Sequence, residues 1–187
     1  MSSFSRRLAL VAVSVFLAGS AGAAKADSID ARFFGHWVGT GTVTDYTAGE
    51  PKTMDRMIEV DIKKVGATGF EIRNSMMATI SDTEMRVSAE PTGATAIHQV
   101  FEPVGNTGRW TAQKACTDLT KQKGCGWAHM VGNSLVVDVI MVDAAGAEIL
   151  LSTKRQMTDK GIKVTFRRIR DGELSRVVEG LMEKKAS

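Results

Sequence analysis

The sequence predicts an all-β chain, an antiparallel closed β-barrel of about eight to ten strands. Three observations carry this. From residue 27 onward the chain is a series of short runs of strand-forming residues broken by Gly, Asn, Asp and Pro turns. No long amphipathic helical stretch separates those runs, which argues against a βαβ layout. The connections are short, and adjacent antiparallel strands in one domain remove their exposed edges most completely by closing on themselves. A two-sheet sandwich is the rival architecture.

The strands are expected in order over 37–44, 56–62, 70–80, 85–89, 95–101, 108–118, 125–131, 135–142, 149–157 and 162–170. Turns are expected at Gly49-Glu50-Pro51, 66–69, 90–93, 121–124, Gly132-Asn133 and Asp159-Lys160-Gly161. The tail admits two readings. Leu174, Val177, Val178, Leu181 and Met182 fall at helical spacing, with Glu173 at the start and Lys184 and Lys185 at the end, which suits the helix dipole. Gly180 inside such a helix costs about 1 kcal/mol. Alternatively, Asp171-Gly172 is a two-residue hairpin turn and 174–182 is a last strand. The expectation adopted is a C-terminal helix packed outside the barrel, and the fold class stands either way.

Residues 1–26 have the pattern of a secretory signal peptide. Arg6 and Arg7 precede an apolar run from Leu8 to Leu17, and a small-residue stretch follows. Ala24-Lys25-Ala26 offers small residues at the positions that cleavage reads, so the cut is expected after Ala26, with Ala23 as the other site. The apolar run is about ten residues, half of what a spanning helix needs. The remainder, 27–187, is then a single domain with no integral membrane segment, and a periplasmic or secreted location follows.

Removing the leader changes the meaning of the charge. The whole chain has 24 bases and 21 acids, a formal net charge of +3. The leader holds Arg6, Arg7 and Lys25 and no acid, so the rest has 21 of each and is neutral. A nucleic-acid partner is therefore not expected. A local cluster remains at Arg167, Arg168 and Arg170, readable as an anion site or as a solvated strand face.

Cys116 and Cys125 are the two cysteines. In an oxidising compartment they are expected to form one disulfide across a hairpin. No His or Cys at metal-ligand spacing accompanies them. If they oppose each other directly, Lys114 faces Trp127, Ala112 faces His129 and Trp110 faces Val131, all on one side of the sheet; a one-residue slip would change the set. Trp110, Trp127 and His129 then form a candidate pocket wall, two flat apolar rings with one polar handle. The same residues also suit plain core packing, or an outer aromatic cluster with Lys114 over Trp127. Nine methionines outside the leader's first residue, Met141 among them, are spread along the strands and suit either core filling or adaptable contact with an apolar ligand.

The motif Gly35-His36-Trp37-Val38-Gly39-Thr40-Gly41 opens the first strand. Trp37, Gly39 and Gly41 share one face, a large ring followed by two bare backbone positions. Gly35-x-Trp37 resembles the short motif at the first strand of lipocalin-like, or calycin, barrels, and the longer Gly35-x-Trp37-x-Gly39-x-Gly41 run resembles the opening of nitrobindin-type ten-stranded barrels. The resemblance implies a closed barrel and an arginine from near the end of the last barrel strand lying over Trp37, at a position among Arg167, Arg168 and Arg170. With 162–170 as that strand, Arg168 is the expected residue, gaining cation–π energy on the indole. The nitrobindin-type heme histidine lies close to the C-terminus, whereas the last histidine here is His129; no heme or other cofactor is expected.

Three scattered histidines make no metal site, and no Gly-x-Ser-x-Gly elbow or paired carboxylates mark an enzyme. The expected function is an exported binding protein that holds a small hydrophobic ligand, such as a lipid or fatty acid, in the barrel. The alternative is an envelope interaction protein, such as a protease inhibitor or accessory factor, with a filled barrel. It would act on an envelope protein through loops such as 119–124.

Overall fold

A computed structural model describes residues 29–47, 49–78, 98–112 and 124–186. They form ten antiparallel strands: β1 (Gly35–Asp45), β2 (Lys52–Val65), β3 (Gly69–Ala78), β4 (His98–Pro103), β5 (Arg109–Ala112), β6 (Cys125–Val131), β7 (Ser134–Val142), β8 (Glu148–Thr158), β9 (Gly161–Arg170) and β10 (Glu173–Lys184). Each pairs with its neighbour in sequence, and β10 returns to pair with β1, closing the barrel. The predicted leader, the 85–89 strand and Cys116 lie outside the described residues.

Strict alternation builds the interior. Ile149, Leu151, Thr153, Arg155 and Met157 of β8 are buried while the residues between them are not, and β2 buries Ile58, Val60 and Ile62 in the same way. Those faces meet in one core with Trp37, Phe70, Phe101, Trp110, Leu135, Val137, Val139, Ile162, Val164, Val178 and Met182. Burial of this apolar surface, at roughly 25 cal/mol per Å², is the main stabilising term.

One end of the barrel is closed by the chain before β1. Ala31–Phe33 forms a short 3-10 turn, capped by Asp30 accepting from the Arg32 amide. It delivers Phe33, fully buried, beneath the strands. The Trp37 indole N–H donates to the Phe33 carbonyl at 2.9 Å, so the ring is fixed to the plug it packs against. Nearby strands add an aromatic cluster. Phe70 and Phe101, direct cross-strand partners, stack at 4.9 Å, and Trp110 meets Phe70 edge-on at 5.6 Å. The Trp110 indole N–H is satisfied by the Thr68 carbonyl at 2.9 Å.

The tail is a strand, not an outer helix. Asp171 (φ 50°) and Gly172 (φ 83°) both adopt the left-handed conformation that a two-residue hairpin turn requires. β10 then runs the full length of β1 and also pairs with β9, with a bulge between Leu174 and Arg176. The helical spacing of its apolar residues was coincidental: Val178 and Met182 face inward, and Leu174 and Leu181 are exposed. Two unsatisfied edges, β1 and β9, outweigh a helix dipole. Gly180 fits this packing, because a Cβ there would stand 2.6 Å from the Thr40 carbonyl oxygen and 2.9 Å from the Gly41 Cα.

That correction carries a second one. The residue over Trp37 is Lys184, whose Nζ lies 5.5 Å from the ring centroid. Arg168 pairs with Arg176, which in turn pairs with Asp45, eight residues along β1 from Trp37 and so about 27 Å away at 3.4 Å per residue. The group on the indole is therefore a lysine near the end of β10, not the expected arginine of β9.

Candidate functional site

The inward surface of the barrel is the candidate site. Two of its groups are polar and strongly buried, Arg155 at 2% and Thr153 at 8% exposure; Ser134 at the start of β7 and Ser175 at the β10 bulge are buried too, outside that inward alternation. Ser175 is satisfied, its hydroxyl donating to the Arg168 carbonyl at 3.0 Å. Arg155 is not. It stands between Leu135 and Val164 on the flanking strands and reaches across the interior, where Nη2 donates to the Asn74 Oδ1 at 2.6 Å. Its Nε and Nη1 have no partner among the described residues. No carboxylate among the described residues faces it, and burial lowers its pKa to about 10, so it remains a cation at neutral pH.

Gln99 is the second unpaired interior group. It shares the inward face of β4 with Phe101, opposite Ile72, and its Oε1 is buried without a donor among the described residues. Its amide lies over Gly126 on β6, where a Cβ would come within 2.9 Å of Oε1. Glycine at 126 is what leaves room for that amide. Nearer the other end of the barrel from Trp37, Arg168 is half-buried on the inward face of β9, and its Nε is also unpaired.

The proposed pocket wall is divided by the observed register. β5 and β6 pair Arg109 with His129, Trp110 with Ala128 and Thr111 with Trp127, three residues out of step with direct opposition of the cysteines. Trp110 is therefore inside, 3% exposed, whereas Trp127 is 40% exposed and His129 shares its outer face. The deduction assumed that Cys116 and Cys125 stand directly opposite each other; Cys116 lies outside the described residues, and the pairs observed between β5 and β6 follow another register. No free cysteine occurs among the described residues, and Cys125 is 7% exposed. Met141 is half-buried and packs against the core from the inward face of β7. Gly35, Trp37, Gly39 and Gly41 lie where the first strand meets β10, with the Ile58 side chain occupying the space over Gly41.

On the outer wall the structure brings together residues that the sequence keeps apart. His36 on β1 lies between Glu59 and Asp61 of β2, with Nδ1 3.2 Å from the Asp61 carboxylate and Nε2 3.6 Å from that of Glu59. The three could hold a cation, and they are half-exposed. Ser75 already donates to Glu59 at 3.2 Å. The i, i+2 spacing of Glu59 and Asp61 was legible, but their partner strand was not.

No protein-family model matches the sequence, and no curated protein matches it. The fold does have a solved counterpart. It is a protein of unknown function of the DUF3598 family from Nostoc punctiforme PCC 73102, with a TM-score of 0.54 and 11% sequence identity over 82% of this chain. The match spans 48% of that protein, so this chain corresponds to about half its length. The likeness is one of fold. No helix among the described residues is long and apolar enough to cross a membrane.

Proposed function

We propose that this chain is an exported calycin-type barrel that binds a small, mostly apolar molecule in its interior. The observation that carries the reading is the interior itself: an apolar wall on which Arg155 and Gln99 keep buried polar atoms without partners. Buried polar groups in a finished core are nearly always paired, and an unpaired one calls for a ligand or water. Ligand sites commonly combine an apolar lining with a few convergent polar groups. The mechanism is passive burial, with most of the gain from apolar area and the orientation from the polar atoms.

Of the residues expected to line the site, Trp110 and Met141 are on the inward side and belong to this proposal. The N-terminal 26 residues are proposed as the export signal, with a Gram-negative periplasm or the exterior as destination. A Cys116–Cys125 disulfide is proposed to hold the 113–123 connection. Native mass spectrometry of protein purified from its own envelope tests the carrier reading: a stoichiometric small molecule supports it, and an apo mass in every preparation opposes it. The second reading, an envelope interaction protein, draws on Trp127, a large ring exposed on the outer wall. A pull-down in which Trp127→Ala loses a protein partner would favour it.

A further inference from the structure

Arg155 is costly to bury. Four strands lie between β8 and β3 in either direction round the ring, so the guanidinium reaches to the far wall to find its one acceptor among the described residues. That acceptor, the Asn74 amide, is neutral. It satisfies one of the three guanidinium nitrogens and leaves Nε and both hydrogens of Nη1 with nothing to bond among the described residues. A core selected for stability alone would place an apolar side chain here, as β8 does at Ile149, Leu151 and Met157 on the same face. The group is also wrong for a neutral apolar guest, because such a guest would pass the unpaired donors and leave them unpaired.

We infer that Arg155 is the head-group site of the barrel, and that the ligand is an apolar molecule carrying one carboxylate. The inference rests on the interior-binding reading above and names its ligand class. A carboxylate is an acceptor-only group that takes several N–H donors at once, so it matches what Arg155 leaves open. One deep guanidinium balances one negative charge. Asn74 accepts through Oδ1 and so holds the Arg155 side chain in place from the opposite wall, ready for the anion. The apolar lining around it, Leu135 and Val164 beside Arg155 and Val60 beside Asn74, receives the remainder of the molecule. Arg168, half-buried further along the inward face, adds positive potential of the same sign.

The test compares two probes of equal chain length on the delipidated protein, dodecanoate and dodecanol, by calorimetric titration and by the shift in thermal midpoint. Dodecanoate is expected to bind at least about tenfold tighter, since its carboxylate accepts charge-assisted hydrogen bonds that the hydroxyl of dodecanol does not match. In Arg155→Met the dodecanoate affinity is expected to fall to that of dodecanol, with the fold intact by circular dichroism. Equal binding of the two probes by the wild-type protein overturns the head-group assignment and leaves interior binding standing. Binding of neither overturns both. The wild-type comparison needs no variant, so it decides the matter even where Arg155→Met does not fold; undiminished dodecanoate binding by a folded Arg155→Met also overturns the assignment.

Discussion

Arg155 on β8 and Asn74 on β3 hydrogen-bond at 2.6 Å across the barrel, from strands that are diametrically opposed in the ring. They are 81 residues apart in sequence, and only closure of the β1–β10 seam fixes their separation. This contact sets the stability of the apo protein against its proposed use. Arg155→Met removes an incompletely paired buried cation and is expected to keep or raise the thermal midpoint, because apolar replacements of buried charges are commonly neutral or stabilising. Asn74→Leu removes the one partner and leaves the cation, and is expected to lose about 1–3 kcal/mol. Urea unfolding of both variants checks the pair; a severe loss in Arg155→Met would show that the guanidinium is structural.

Gly180 separates the strand from the helix in a single substitution. On an outer helix, Gly180→Ala would stabilise by about 1 kcal/mol. In β10 the new Cβ would meet the β1 backbone at Thr40 and Gly41, and a loss of about 1–3 kcal/mol is expected. Denaturant midpoints of the two proteins give the sign directly.

The plug at Trp37 has a graded signature. Trp37→Ala is expected to cost about 3–5 kcal/mol through the cavity it leaves. Trp37→Phe keeps most of the packing but loses the bond to the Phe33 carbonyl, a cost of about 1 kcal/mol from that bond. Lys184→Ala removes the cation over the ring and is expected to cost less than about 1 kcal/mol. Thermal melts should rank the three in this order.

Acid should weaken the far end of the β1–β10 seam. The Thr47 hydroxyl and amide, followed by the Arg176 guanidinium at 2.5 Å, hold the Asp45 carboxyl well below the usual carboxylate range. A folded-state value below the unfolded one means that this contribution is complete above about pH 4 and is lost as pH falls further, through the depressed value. Asp45→Asn is therefore expected to be less stable than the wild-type protein by about 1 kcal/mol at pH 7, with the gap closing below about pH 4. Paired urea titrations at pH 7 and pH 3 test this; a gap that is constant with pH would refute it.

Trp127→Ala should be quiet. The ring is 40% exposed on the outer wall, so a change within about 0.5 kcal/mol is expected, together with unchanged binding of dodecanoate. A loss of binding would bring the outer face of β6 back into the site.

The barrel was legible because period-two alternation and turn residues are local signals. The runs at 37–44, 56–62, 135–142, 149–157 and 162–170 all fall within observed strands. The tail was not legible in the same way. Its apolar residues satisfy a helical period and an extended one alike, and the choice depends on edges of β1 and β9 that exist only in the folded ring. Assigning 162–170 as the last strand then misplaced the cation on Trp37 by one strand, from Lys184 to Arg168. The hairpin failed for a related reason. A cysteine pair fixes that two residues are near, not that they are directly opposed, and a three-residue offset moved Trp110 to the inside while Trp127 and His129 stayed out. Arg155 went unnoticed, although it stands in phase with the apolar residues of β8, a charge at a core position in an otherwise regular alternation.

By itself, then, the sequence determined the all-β class, the antiparallel order and the ring of Trp37 at the start of the first strand, because these depend on neighbours in the chain. Tertiary structure alone decided which strand closes the barrel, which side of the sheet each aromatic faces and that Arg155 meets Asn74. Those outcomes depend on register and closure, and a shift of register by one residue moves every side chain of a strand to the opposite face.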